Sequence, residues 1–207
     1  MSANKRIADF LSRQDGAAAV EFALVGPVFL LLIAGIIDFG NAFWQYNQAS
    51  KAVQLGARLA AVSAPVSSDL ATMTGEDGTN KPGDPMPYFQ RVCTGGTTGS
   101  CTGGTYNATA MNTIVYGRGN TSCPAAVGNF PPMCAIFPRV TPANVRVTYT
   151  QTGLGFVGRA GGPVPTIQVE LVNVNYNFLI LNGLLNFNPI PMNGIRATAV
   201  AEDMRGA

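Results

Sequence analysis

The sequence predicts an α+β chain. A long N-terminal helix, transmembrane at first and amphipathic beyond, packs on a C-terminal antiparallel β-sheet, and a loop-rich disulfide segment lies between them. Three observations predict this. From Phe22 to Ile37 no residue is charged, and the stretch Phe22 to Phe43 reaches the roughly 20 apolar residues that a bilayer core takes as helix. Apolar residues then recur at helical spacing as far as Val62. After Thr141 the apolar period becomes two, that of a half-buried strand. The expected organisation is a basic leader over residues 1–16, a spine helix over 17–62 and an extracytoplasmic domain over 63–207.

Composition excludes several function classes. The chain has 207 residues, a formal charge of +2 and only 12% charged residues. That is too even a balance for a nucleic-acid binder, and no basic patch appears. Histidine is absent, which removes the commonest general base, any Ser-His or Cys-His pair and most zinc sites. No Ser, Thr or Asn has a base at motif spacing, so no catalytic constellation emerges and no cofactor is implied.

The leader carries Lys5, Arg6 and Arg13 against Asp9 and Asp15. Basic flanks of a membrane helix stay in the cytoplasm, but Lys51 and Arg58 on the far flank make the bias small. The helix is not a removable secretory signal, whose apolar core runs about 7–15 residues before a small-residue cleavage site. This run is longer, and Asp38-Phe39-Gly40-Asn41 offers no such site.

Glu21 stands at the lipid edge, where a lone acid is unfavourable and usually partnered. A cut between Gly16 and Ala17 would make Glu21 the fifth residue of a new chain. Its carboxylate would then lie one helical turn from a positive amine, in the same chain or in a neighbour. The pattern Gly-x-x-x-x-Glu-Phe, behind a short basic leader and ahead of an apolar helix, resembles the processing site of type IV prepilins. The longer string RQDGAAAVEFALVGPVFLLLIAGIIDFGNAF resembles the TadE-like proteins of tight-adherence pilus systems.

That resemblance implies a non-catalytic minor pilin or pseudopilin of a tight-adherence pilus. It implies processing by a prepilin peptidase at Gly16 and Ala17, and docking through Glu21 and Phe22. The implied partners are the peptidase, other pilin or pseudopilin subunits and the inner-membrane assembly platform. The implied location is the bacterial inner membrane, with the amino terminus cytoplasmic and the bulk of the chain periplasmic. Two rival readings are a membrane-anchored extracytoplasmic ligand-binding module and an anchored hydrolase, the second disfavoured by the missing histidine.

Within the helix, Pro27 removes a backbone donor, which membrane helices tolerate; a mild kink is expected. Asp38, near the outer end of the span, could snorkel to the interface or contact a neighbouring subunit across a helix interface. Trp44 and Tyr46 follow at the depth where interfacial aromatics collect. Beyond them Ala52, Leu55, Leu59 and Val62 form an apolar stripe, with Tyr46, Ala49 and Val53 adjoining it and Gln45, Gln48, Lys51 and Arg58 on the other face. Pro65 ends the helix. From Ala17 to Val62 it would run roughly 70 Å at about 1.5 Å per residue.

Residues 63 to about 140 read as loop, with turn strings such as GEDGTNKPGDPMP and TGGTTGS and a short strand at Thr113 to Tyr116. Cys93, Cys101, Cys123 and Cys134 all fall here, on the side of the membrane where disulfides persist. Of the three pairings four cysteines allow, Cys93–Cys101 and Cys123–Cys134 are favoured because each closes a short loop containing glycine or proline. Metal ligation is the alternative, against which stand the lack of any CxxC and of histidine. Asp69, Glu76, Asp77 and Asp84 read as solvated loop acids that fit no EF-hand.

Val145, Val147 and Tyr149 then alternate with polar residues, as do Ile167, Val169 and Leu171. Val172, Val174, Tyr176 and Phe178 alternate in the opposite phase, which predicts a bulge or bend at Leu171-Val172. Asn182-Gly183 reads as a turn, and Ile195 to Ala201 as a last strand before Glu202-Asp203-Met204-Arg205. A sheet with one face on the helix stripe would bury both.

Overall fold

The computed structural model describes residues 16–125, 131–201 and 204. The expected leader, with Lys5, Arg6, Asp9, Arg13 and Asp15, lies outside the described residues, as do Glu202, Asp203 and Arg205. The described chain forms two compact units. One comprises the described part of Met1–Phe43 with Asn177–Pro189; the other comprises Trp44–Tyr176 with the described part of Ile190–Ala207. The division does not follow chain order, since a thirteen-residue excursion late in the sequence belongs with the apolar helix.

Helix α1 spans Ala17–Ala61, with Pro27 inside it. It is long and apolar enough to cross a membrane. Up to Phe43 its apolar side chains are largely exposed, among them Leu24, Val28, Leu30 and Ile36. Such a surface is stable in water only if covered; in lipid it needs no cover.

In the second unit the continuation of α1 buries part of the predicted stripe, Ala49, Ala52 and Val53, but the buried face turns away from its leucines. Ala49, Ala52, Val53, Ala57 and Ala60 are buried, whereas Leu55 and Leu59 are half-buried and Val62 is exposed. The reason is size. Close approach selects the small residues, and Gly56 marks the tightest point: a Cβ there would lie 2.5 Å from the Met133 sulfur. Leu59 and Val62 instead border a cavity of about 430 Å³, lined also by Ser63, Thr113, Gly117 and Arg118.

The remaining strands and α-helices described in this unit are β1 (Gln90–Thr94), β2 (Ser100–Thr102), α2 (Ala108–Tyr116), α3 (Met133–Ile136), β3 (Val145–Thr150), β4 (Thr166–Leu171), β5 (Asn175–Tyr176), β6 (Ile190–Pro191) and β7 (Arg196–Val200), with short 3-10 turns at Ser68–Ala71 and Pro142–Asn144. Among the described residues β2-β1-β3-β4-β7 form one sheet, antiparallel at every pairing, and β5-β6 form a small separate ladder. The central strands show the predicted alternation: Val145, Val147 and Tyr149 of β3 and Ile167, Val169 and Leu171 of β4 are buried. In register Val147 faces Val169 and Tyr149 faces Ile167, so one face of the sheet supplies a continuous apolar core. The Tyr149 hydroxyl accepts a hydrogen bond from the Val66 N–H at 2.9 Å, joining the sheet to the chain just past α1.

Three local expectations are corrected. Thr113 to Tyr116 is not a strand but the end of α2. The Asn107 side chain accepts from the Ala110 N–H at 3.1 Å to cap that helix, and Ala110, Met111, Ile114 and Val115 are buried at three- and four-residue spacing. The phase change after Leu171 is a strand end rather than a bulge. Asn173 takes a left-handed backbone with φ 56°, and the Asn144 side chain donates to the carbonyls of Val172 and Asn173 at 3.4 and 3.2 Å. Asn182-Gly183 is not a turn but lies inside a short helix, α4 (Leu181–Leu185).

Candidate functional site

At the head of α1, Gly16 is exposed and the helix begins with Ala17. Nothing lies within 4 Å of the position a Gly16 side chain would take. The first helical turn holds no acidic residue; Glu21 stands one turn further and is exposed. Phe22 beside it is 78% exposed. The first backbone N–H groups of any helix lack intrahelical partners and carry partial positive charge. An acid just inside that end is therefore favoured, and an amine at Ala17 would add to the attraction.

Asp38 lies on the same helix but is fully buried. Its Oδ1 accepts from the N–H of Leu179 at 3.0 Å and of Ile180 at 3.3 Å. Its Oδ2 accepts from Ile180 at 3.0 Å and Leu181 at 2.8 Å. One carboxylate thus satisfies three consecutive backbone donors at the start of α4. This is side-chain capping, delivered from another helix because the local position before α4 is Ile180, which has no acceptor. Ala34, one turn before Asp38, is also buried. Phe178 packs edge-on against Phe39 at 5.6 Å and against Phe187 at 5.5 Å between ring centres. The arm Asn177–Pro189 is therefore fastened to the apolar part of α1 by a polar seat and an aromatic clamp.

Alongside the seat runs an apolar groove of about 570 Å³, walled by Pro27, Leu30, Ala34 and Ile37 of α1 and by Ile180, Leu184 and Leu185 of the arm. In the second unit the stem of the arm is held separately. Arg139 donates to the Gln45 side chain at 3.0 Å and to the Asn175 carbonyl at 3.1 Å, and β5 pairs with β6.

The four cysteines form two bridges between neighbours, Cys93–Cys101 and Cys123–Cys134. The first joins directly opposed residues of β1 and β2. The second ties a loop to α3. Among the described residues no group of three or more potential ligands could hold a metal. Of the loop acids, Asp69 departs from the solvated reading: it pairs with Arg91 at 2.9 Å and accepts from the Ser67 hydroxyl. Asp77 is exposed and accepts from the N–H groups of Asn80 at 2.8 Å and Thr79 at 3.0 Å, which hold its carboxyl below the usual range.

Sequence reasoning named Asp38 but missed its partner, the arm. A signal was present: no charged residue stands between Glu170 and Arg196. Within that run Phe178-Leu179-Ile180-Leu181 is a wholly apolar string.

Residues 16–58 match the family model described as TadE-like protein. The match begins at the exposed glycine and ends within α1, and it includes Glu21 and Asp38. No curated protein and no solved structure matches the chain.

Proposed function

We propose that this chain is a component of a tight-adherence, type IV-like pilus, acting without catalysis as a minor pilin or pseudopilin. A prepilin peptidase would cut between Gly16 and Ala17. Helix α1 would then anchor the product in the inner membrane, with the head of the helix at the cytoplasmic face and the disulfide-bonded sheet unit in the periplasm. The observation that carries the proposal is the exposed Glu21 one turn inside α1, within the stretch that matches the TadE-like model. The two disulfides support the periplasmic placement, because such bridges persist in oxidising compartments. Assembly would run through helix contacts with other pilin subunits and the membrane platform. The Glu21 carboxylate would take the amine of an incoming subunit and set the register between helices.

The test is Glu21→Gln, expressed at the normal level in cells that make the pilus. The substitution keeps the shape and removes the charge. Membrane insertion should be intact, since charge is what insertion disfavours. Surface pili and crosslinks to other pilins should be lost or strongly reduced. Wild-type piliation and crosslinking in this variant would contradict the docking role.

A further inference from the structure

We propose that the arm Asn177–Pro189 is a second membrane-contacting element, which enters the outer leaflet beside α1 with its leucine face against lipid. The inference rests on the reading of α1 as a membrane span. It goes beyond that reading, because the arm comes from a part of the chain far from any apolar helix in sequence.

The arm carries no charged residue, and it is exposed to an unusual degree for its composition. Leu179 is 65% exposed, Leu184 62% and Leu185 53%. In water, such a surface alongside the bare helix would be a single large apolar patch, of the size that marks a protein or membrane contact. The two apolar surfaces are continuous, since residues of both wall the same groove from Pro27 to Ile37. Pro27 lies roughly 16 Å from Asp38 along the helix axis at about 1.5 Å per residue, against a hydrocarbon core of about 30 Å. The wall shared with the arm therefore lies within the uncharged span.

Entry of a non-spanning segment into lipid is opposed by its backbone, because any unsatisfied N–H there is costly. The structure answers this at the point where it matters. The donors of Leu179, Ile180 and Leu181 all go to Asp38, and the N–H groups of Leu184 and Asn186 close onto the carbonyls of Ile180 and Asn182. The same contact answers the converse problem, a carboxylate inside an apolar helix. In α4, Leu184 and Leu185 are exposed on one side, Leu181 is buried, and the exposed Asn182 lies away from the two leucines. That is the pattern of a short interfacial helix, apolar toward the acyl chains and polar toward the headgroups.

The test uses tryptophan as a depth reporter. Trp44 is the only tryptophan, so Trp44→Phe gives a silent full-length background. Into it are placed Leu184→Trp, Leu179→Trp as a second arm reporter at an equally exposed site, and Leu30→Trp on α1. Each protein is reconstituted at low density in phosphatidylcholine vesicles, with and without acyl-chain bromination. The arm reporters should show blue-shifted emission, loss of fluorescence in brominated lipid comparable to that of Leu30→Trp, and protection from aqueous iodide. Lipid quenching of Leu30→Trp with iodide quenching of both arm reporters would overturn the inference and leave the anchored reading standing. Arm reporters shielded from both quenchers would overturn it in favour of a second protein surface. Failure of Leu30→Trp itself to be quenched by brominated lipid would overturn the membrane reading of α1 and this inference with it.

Discussion

The Asp38 carboxylate accepts a hydrogen bond from the Leu181 N–H at 2.8 Å, across 143 positions of sequence. This contact and its neighbours at Leu179 and Ile180 connect the apolar helix to a segment that chain order would assign to the sheet unit. An alanine at position 38 would leave three donors without an acceptor. Asp38→Ala should therefore release the arm: backbone amides from Leu179 to Leu181 should exchange with solvent much faster in detergent-solubilised protein. Amides of β3 and β4 should be unchanged, because the sheet has its own core. Unchanged protection of the arm in the variant would mean that the aromatic clamp alone holds it.

Tyr149 offers a test of the sheet unit. It is fully buried, and burial pushes its phenol pKa well up despite the hydrogen bond from Val66. The folded state thus holds the phenolic proton more tightly than the unfolded chain, whose tyrosine titrates near 10. The stabilisation is complete below that value and is lost as the pH rises above it, where the unfolded state ionises and the native state does not. Tyr149→Phe should remove this alkaline loss. At neutral pH it should lower stability by about 1–3 kcal/mol, because the Val66 N–H is left buried without its acceptor. Chemical denaturation of the purified protein at neutral and alkaline pH would measure both effects; equal pH slopes in variant and wild type would contradict the assignment.

The bridge Cys93–Cys101 closes a short loop, with a sequence separation of 8. Constraining a loop of that length is worth roughly 2–3 kcal/mol in the chain-entropy account. The double variant Cys93→Ser, Cys101→Ser should lose about that much stability while Cys123–Cys134 still forms. Alkylation of the wild-type protein under denaturing, non-reducing conditions should label no cysteine, and peptide mapping should return these two pairs. Free thiols in the wild-type protein would contradict an oxidising location.

Much of this architecture is legible in the residues, and the limits of legibility have physical causes. The apolar helix follows from the charge gap after Glu21, and β3 and β4 from strict alternation, because burial on one face leaves a regular mark. The β-branched Thr113-Ile114-Val115 favours a strand locally, whereas the Asn107 cap and burial at three- and four-residue spacing make it the end of a helix. The stripe of α1 is legible at Ala49, Ala52 and Val53 but not at Leu55, Leu59 and Val62, because close approach selects small residues such as Gly56, Ala57 and Ala60 over leucine. The arm was hidden for a different reason. The residue that caps α4 is Asp38, and no local pattern records a cap supplied from so far away. Gly16 and Glu21 stand at a recognisable spacing, and the roles proposed for them depend on partners outside the chain.

The amino terminus of the protein as it occurs in cells containing the prepilin peptidase is the most direct measure of the central claim. Intact-mass and N-terminal peptide analysis of the membrane fraction should find a chain that begins at Ala17, and Gly16→Val should abolish that species, since a bulky residue before the cut obstructs the peptidase. A wild-type chain that retains Met1 or Ser2 in such cells would contradict maturation at Gly16, and with it the assignment of Glu21 to a new amino terminus.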